Sequence, residues 1–181
     1  MKHQKKILAS VIIVNFNNGR LLNESLKSIF NQSYKFKEII VVDDFSTDNS
    51  VEILKNFKKK IKLIQNKKKT PYGSYNQINC YYKGFLESKG DFIFFLDSDD
   101  YFKKNKIQIL IKKFSENKSL KLIFDLPILK FKNKEKKKKF VQKLFLLSSW
   151  PRFSPQSCIS IERKFAKEIF KNLNIKKFKT L

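Results

Sequence analysis

The sequence is poor in several residue types that define whole classes of protein. Its 181 residues include 4 glycines, 4 prolines, 2 cysteines and 1 histidine, whereas phenylalanine occurs 19 times. So little glycine and proline beside so many aromatic side chains argues against a collagen-like or disordered chain. Cys80 and Cys158 lie far apart and lack the spacing of metal ligands, so we expect two buried free thiols.

Long apolar runs are also absent. No stretch approaches the roughly 20 apolar residues that a helix needs to cross a bilayer. The first residues lead directly into a strand-like segment instead of a signal peptide. We therefore expect a cytoplasmic protein, and the length suits one domain with a sizeable core.

Acidic residues are scarce compared with basic ones. The chain has 16 Asp and Glu against 40 Lys and Arg, which gives a formal net charge of +24. Such a charge suggests nucleic acid or an anionic membrane surface as a partner. The lysines are spread along the whole chain, however, and no nucleic-acid-binding motif is recognisable. The pattern favours a solvated basic surface and disfavours a nucleic-acid partner.

One apolar run ends in a cluster of carboxylates. Residues 92–96 are uniformly apolar, which is typical of a strand covered on both faces, and Asp97, Ser98 and Asp99 follow directly. Massed carboxylates repel one another unless a cation joins them, and hard divalent cations prefer oxygen ligands. An isolated Asp-x-Asp is more simply explained as a strand end and a helix cap. The motif therefore needs support from the rest of the chain.

The order of the other elements supplies that support. Alternating strand and helix patterns predict an α/β fold with a mostly parallel sheet and helices on both faces. The carboxyl ends of parallel strands share one edge of a sheet, so Asp43 and Asp44 are expected in one crevice with the later acidic cluster. Further strands are predicted at residues 9–15, 38–42, 61–65, 120–124, 128–131 and 158–161, and a lysine-rich turn at 132–139.

Polar residues at two strand ends are candidates for helix caps. Asn17 or Asn18 is expected to cap the first helix, and Thr47 or Asp48 the second.

Three ordered segments resemble the inverting family 2 glycosyltransferases, which have the GT-A fold. They are residues 11–17 (VIIVNFN), 38–48 (EIIVVDDFSTD) and 90–100 (GDFIFFLDSDD). Three motifs at suitable spacing, over roughly the first two thirds of the chain, are more specific than any single motif. The resemblance implies transfer of a sugar from a nucleotide-diphosphate sugar to a hydroxyl group, with inversion. The implied acceptor is a glycan or a lipid-linked molecule.

The resemblance also implies roles for individual residues. The implied cofactor is a divalent metal, Mn or Mg, which would act as a Lewis acid on the leaving diphosphate. No glycine-rich phosphate loop is present, so the cation must carry much of the diphosphate recognition. The implied nucleotide-sugar-binding residues are Val14, Asn15, Phe16, Asp43, Asp44, Asn79, Asp97 and Ser98, and the implied metal ligands are Asp99 and Asp97.

The chain departs from the family pattern at specific positions. Asn15 stands where proline is common, Phe45 where glycine is common, and Ile78 where an arginine often precedes the asparagine. Loss of that arginine leaves the diphosphate to other groups, for which Lys67, Lys68 and Lys69 are the candidates.

The acceptor-side residues are the least matched part of the chain. No catalytic base is assigned, because Asp125 is the only Asp after Asp100 and its position at a strand end is typical of a turn or cap. We expect residues 1–125 to be the nucleotide-sugar-binding half. Residues 126–181 are expected to be part of the acceptor-side region of the same domain, which would be truncated.

Three alternatives stay open. The chain could be a nucleotide-sugar-binding module without turnover, because its base is missing, or a basic nucleic-acid-binding protein. In addition, residues 136–150 could form a basic amphipathic helix on an anionic membrane, which would place the protein peripherally on the inner face. The competing interpretation of that segment is a core helix beside a solvated lysine run.

Overall fold

The computed structural model describes residues 6–131, 134–137, 155–175 and 177. Its strands are β1 (Ala9–Asn15), β2 (Lys37–Asp43), β3 (Lys62–Gln65), β4 (Phe92–Asp97), β5 (Leu122–Phe124), β6 (Ile128–Phe131), β7 (Lys134–Lys137) and β8 (Ile159–Glu162). Its α-helices are α1 (Gly19–Phe30), α2 (Ser50–Asn56), α3 (Gly73–Glu87), α4 (Lys106–Glu116) and α5 (Arg163–Asn172). A 3-10 turn, Gln156–Cys158, directly precedes β8.

Six strands form one sheet in the order β3-β2-β1-β4-β8-β5. The pairs β1–β2, β1–β4 and β2–β3 are parallel. Strand β8 is antiparallel to both of its neighbours, β4 and β5. The predicted α/β class with a mostly parallel sheet is therefore confirmed, and β8 is the exception.

Alternating residues of the central strands contribute to two apolar layers, one on each face of the sheet. Val11 and Ile13 of β1 pack in a cluster with side chains of α1, α2 and α4, whereas Ile12 and Val14 pack with side chains of α3 and α5. Because successive side chains of a strand point to opposite faces, helices on both sides of the sheet need strands that are apolar throughout. This explains the unbroken apolar runs in β1, β2 and β4.

The region after β5 differs from its predicted form. Ile128–Phe131 is the expected strand, but the lysine run contains a second strand, Lys134–Lys137, which pairs with it antiparallel. A turn over 132–139 was therefore the wrong prediction for the described part of that run. The remainder of the predicted amphipathic segment, up to Trp150, lies outside the described residues. Within the described ranges, no helix combines the length and the apolar character needed to cross a bilayer.

Candidate functional site

A cleft lies at the carboxyl ends of the parallel neighbours β2, β1 and β4. In the strand register, Asn15 lies opposite Asp43 and Val14 lies opposite Asp97, so all three strands end at one edge of the sheet. The cleft has a volume of about 320 Å³. Of the predicted site residues it brings together Val14, Phe16, Asp44, Asp97, Ser98 and Asp99, and its wall also contains Asn18, Lys69, Gly73 and Gln77.

Three other predicted residues do not line this cleft. Asn79 lies on α3 outside its wall. Asn15 and Asp43 are buried behind it, with exposures of 0% and 1%. The carboxylate of Asp43 accepts hydrogen bonds from Asn15 Nδ2 at 2.8 Å, from Ser46 Oγ at 2.7 Å and from the Ser46 N–H at 3.0 Å. The Asp43 carboxylate therefore fixes the conformation of the loop after β2 from its buried side.

The loop between β2 and α2 adopts an unusual backbone conformation at Phe45. Its φ is 62°, which is the left-handed region that bulky L-residues rarely enter. Glycine is common at this position in the resembling family because it adopts such a φ without steric cost. Here the conformation is retained with phenylalanine, at a cost of the order of 1–2 kcal/mol. Hydrogen bonds from Ser46 to Asp43, and from the Thr47 N–H to Asn17 Oδ1, fix the residues that follow Phe45.

Asp97 is held by two side chains of helix α3. Its Oδ1 accepts hydrogen bonds from Tyr81 Oη at 2.6 Å and from Gln77 Nε2 at 3.0 Å. Burial raises the pKa of Asp97 above its ordinary value; these two hydrogen bonds oppose the rise, and the charges of Asp99 and Asp100 add to it. Since both hydrogen bonds end on Oδ1, the carboxylate has a fixed orientation beside the cleft.

The acidic cluster offers carboxylate oxygens of the kind that a divalent cation prefers. Asp97 and Asp99 supply carboxylate oxygens at the cleft, and Asp99 is exposed there. Among the described residues, no group of three or more His, Cys, Asp or Glu side chains is placed to hold a metal. Magnesium and similar cations commonly take one or two carboxylates and complete their shell with phosphate oxygens and water. This oxygen set therefore fits a cation shared with a bound diphosphate, and does not fit a metal caged by protein alone.

The late aspartate, Asp125, lies in a different environment. Its carboxylate forms an ion pair with Lys106 Nζ at 2.8 Å, and the same Nζ donates to the carbonyl oxygen of Ser157 at 2.6 Å. Ser157 Oγ in turn accepts a hydrogen bond from the Asp97 N–H at 2.9 Å. The paired Asp125 thus anchors the segment before β8 against β4, which agrees with its interpretation as a structural residue.

Asp48 connects helix α1 to the loop after β2. Its Oδ2 accepts a hydrogen bond from the Gly19 N–H at 2.8 Å, and its Oδ1 accepts one from the Ser50 N–H at 3.0 Å. Asn18 occupies the N-cap position of α1, as predicted, but its side chain forms no capping hydrogen bond; the Gly19 N–H is bound by Asp48 instead. The N-cap position of α2 is Asn49, one residue after the predicted Asp48. Burial acts to raise the pKa of Asp48, but the hydrogen bonds from Ser50 and Gly19 outweigh it and the pKa is lowered.

We expect Asp48→Ala to lower the free energy of unfolding at pH 7 by about 1 kcal/mol, as is usual for a lost helix cap. Because the pKa is lower in the folded state, this contribution is present above the ordinary aspartate pKa and is lost as the pH falls through the folded-state pKa. Urea unfolding of both proteins at pH 7 and in acid measures this. The two stabilities should converge in acid, and Asp48→Asn should be intermediate at pH 7. An equal difference at both pH values would show that the charge is irrelevant.

Several residues that line the cleft or support its wall from behind were not predicted from the sequence. Gln77 and Tyr81 lie four residues apart on α3, and that spacing places two polar groups on one helix face. Asn66 directly follows β3, at the same sheet edge as the other polar strand ends, and it donates a hydrogen bond to Asp44. Both signals were readable in the sequence.

Lys69 is the one of the three candidate lysines that lines the cleft, and its Nζ lies 2.9 Å from the centre of the Phe16 ring.

The chain is similar to known proteins over most of its length. The model of a family described as "Glycosyl transferase family 2" matches residues 10–170. Over 112 residues the chain is 38% identical to GalNAc(5)-diNAcBac-PP-undecaprenol beta-1,3-glucosyltransferase of Campylobacter jejuni, which covers 59% of this chain and 34% of the relative. Over 114 residues it is 34% identical to poly(ribitol-phosphate) beta-N-acetylglucosaminyltransferase TarP of Staphylococcus aureus, covering 61% and 34%. The matched segment thus spans about a third of the length of these relatives.

Solved structures share the fold. TarS 1-349 of S. aureus in complex with UDP-GlcNAc superimposes with a TM-score of 0.64 at 20% identity, covering 90% of this chain and 47% of that chain. The mannosyltransferase PcManGT of Pyrobaculum calidifontis, in complex with GDP-Man and Mn2+, gives a TM-score of 0.65 at 14% identity, covering 89% and 46%. At such identities the similarity establishes the fold alone, and that fold is GT-A, as the resemblance implied.

Proposed function

This chain belongs to glycosyl transferase family 2, and from that premise we propose that it binds a nucleotide-diphosphate sugar and transfers the sugar to a hydroxyl acceptor. The observation that carries the proposal is the cleft at the ends of β2, β1 and β4, where two acidic strand ends share one wall. In open α/β sheets, ligands bind outside the carboxyl ends of the strands.

The nucleoside would lie on the β1 and β2 side of the cleft. Val14 and Phe16 supply apolar surface for the base, and the carboxylate of Asp44 is an acceptor for an N–H of the base or a ribose hydroxyl. Asn15 and Asp43 support this surface from behind through the Ser46 loop. Direct contact by Asn79 stays a prediction.

The diphosphate would lie between Lys69 and the acidic cluster. A lysine in the cleft wall supplies positive charge of the kind that the missing arginine often provides in the family. Asp99, with Asp97, would hold a divalent cation; when bound, that cation supplies Lewis-acid stabilisation of the leaving diphosphate. PcManGT, which shares the fold, was solved with Mn2+, and this supports a cation of that class.

The transfer breaks the bond between the anomeric carbon and the phosphate oxygen, and forms a bond from that carbon to the acceptor oxygen. Inversion follows if the hydroxyl attacks from the face opposite the diphosphate and loses its proton to a base. Asp97 is the half-buried carboxylate in the cleft wall that would orient the sugar, through the fixed geometry that Tyr81 and Gln77 impose. The base itself is not assigned.

The acceptor is proposed to be a glycan or a lipid-linked molecule. The names of two relatives specify a diphosphoundecaprenol-linked glycan and a poly(ribitol-phosphate), and both present hydroxyl groups. We assign residues 1–125 to nucleotide-sugar binding and residues 126–181 to part of the acceptor side. We propose that the protein acts in the cytoplasm, at the inner face of the membrane, where its positive charge would favour anionic lipids.

A thermal-shift panel of nucleoside diphosphates and their sugars, with and without Mn2+, tests the proposal. At 100 times the dissociation constant, a ligand that binds only the folded state stabilises it by about 2.7 kcal/mol. We expect at least one nucleoside diphosphate to raise the melting temperature of the 181-residue chain when Mn2+ is present. If none does so while DNA or RNA binds with steep salt dependence, the transferase proposal is wrong and nucleic-acid binding replaces it.

Release of nucleoside diphosphate from the sugar nucleotide separates the two remaining versions. Hydrolysis or transfer by this chain would establish turnover. Binding without either would identify a nucleotide-sugar-binding module.

A further inference from the structure

The side chain of Asn66 joins the cleft carboxylate of Asp44 to Lys83 on helix α3. Asn66 directly follows β3; its Nδ2 donates to Asp44 Oδ1 at 2.8 Å, and its Oδ1 accepts from Lys83 Nζ at 2.6 Å. Its backbone N–H donates to the carbonyl oxygen of Asp43 at 2.9 Å. Both ends of the amide and the adjacent backbone are therefore engaged, and Asn66 can adopt one orientation.

We infer that Asn66 is a positioning residue for nucleotide recognition, which orients the Asp44 carboxylate toward the base or ribose and is itself oriented by Lys83. This rests on the proposed function of the cleft. An amide nitrogen only donates and an amide oxygen only accepts, while an ammonium group only donates. Lys83 therefore selects the amide orientation in which Nδ2 lies toward Asp44.

The surroundings of Asp44 make this hydrogen bond consequential. Asp44 is 4% exposed, and a buried carboxylate is costly unless hydrogen-bonded. With Oδ1 bound to Asn66, Oδ2 is the oxygen that a nucleobase N–H or a ribose hydroxyl would engage. Without Asn66, the Asp44 carboxylate could rotate and accept hydrogen bonds from other donors. The ligand would then have to turn the carboxylate back on binding, at a cost in affinity.

Cys80 is hydrogen-bonded to both Asn66 and Asp44 and brings no competing charge. Its Sγ lies 3.3 Å from Asn66 Nδ2. Burial raises the pKa of the Cys80 thiol to about 12, and the charge of Asp44 acts in the same direction. The thiol therefore stays protonated and neutral at physiological pH.

Calorimetric titration of the full chain with UDP, GDP and ADP in the presence of Mn2+ tests the inference. We expect Asn66→Ala to raise the dissociation constant of the preferred nucleoside diphosphate about tenfold, as for one lost hydrogen bond to a charged group. Lys83→Met should raise it less, by about threefold, because the amide stays but loses its fixed orientation. Gln65→Ala, an exposed neighbour on β3, is the matched control and should bind like the wild type.

A double-mutant cycle with Asp44→Ala distinguishes positioning from a general structural role. If Asn66 acts through Asp44, then Asn66→Ala should change the dissociation constant less than about twofold once Asp44 is absent. Additive effects would show that Asn66 acts by another route, and would overturn the inference. Wild-type affinity in both Asn66→Ala and Lys83→Met would also overturn it.

Failure of the underlying function gives a different result. If the wild type binds none of the three nucleoside diphosphates, the proposed function fails and the inference fails with it. If the wild type binds but the variants at Asn66 and Lys83 bind equally well, the inference alone fails. Thermal unfolding of each variant checks that it folds, and Lys83→Met provides the test if Asn66→Ala does not.

Discussion

Gly84→Ala is expected to lower the free energy of unfolding by about 1–3 kcal/mol, the usual range for overfilling a packed interior. A Cβ atom at this position would lie 2.3 Å from Cγ2 of Ile12 and 3.3 Å from Cγ2 of Val42. Ile12 is 0% exposed and β-branched, so its side chain cannot rotate away. Helix α3 must instead move off the sheet.

This displacement should also reach the cleft. Gln77 and Tyr81 lie on the same helix and fix the orientation of Asp97, so we expect Gly84→Ala to weaken nucleotide binding as well as stability. Urea unfolding measures the loss of stability, and calorimetric titration of a separate aliquot of the same preparation measures the loss of nucleotide binding.

Gly73→Ala is the matched control for stability. It lies at the start of the same helix, and a Cβ atom there would meet no atom within 4 Å. We expect it to leave the stability unchanged or to increase it by up to about 1 kcal/mol, because alanine is the better helix former. Equal destabilisation by both substitutions would contradict close packing of α3 on β1 as the cause.

Asp99→Ala is expected to abolish the Mn2+-dependent part of the thermal shift produced by a nucleoside diphosphate. Asp99 is the exposed carboxylate of the acidic cluster at the cleft, and the other proposed ligand, Asp97, already accepts two hydrogen bonds on Oδ1. Without Asp99, the cation would have to bind mainly through phosphate and water. The expected result is a shift in the variant with Mn2+ that equals the wild-type shift with chelator.

Glu52→Ala controls for the change of charge. Glu52 is exposed on α2 and lies away from the cleft wall, so its removal changes the net charge equally without touching the site. It should retain the full Mn2+ effect. A chelator-insensitive shift in the wild type would remove Asp99 from the proposed role.

The positions of the acidic strand ends could be predicted from the sequence. Uniform apolar runs indicated strands covered on both faces, and the alternation with helices indicated parallel pairing. From these two facts it follows that Asp44 and Asp97 lie at one edge. The register confirms that β2 and β4 flank β1 there.

The different roles of the neighbouring residues Asp43 and Asp44 could not be predicted in the same way. Asp43 and Asp44 are adjacent and identical in type, yet one is held inside a loop by Ser46 and the other reaches the cleft. That difference depends on the backbone of the turn, including the positive φ of Phe45. The direction of strand β8 could not be predicted either, because a short apolar run does not reveal whether it joins a sheet parallel or antiparallel to its neighbours.

The most direct measurement is the paramagnetic broadening of backbone amide signals by Mn2+ in the presence of a nucleoside diphosphate. We predict selective loss of signal at Val14, Asp44 and residues 97–100. Signals of Glu38 and Gly90 should persist, since these residues lie at the other end of strands that span roughly 20 Å. Broadening centred on Glu38 and Gly90, or broadening without any preference for the three strand ends, would contradict a shared cation and nucleotide site in this cleft.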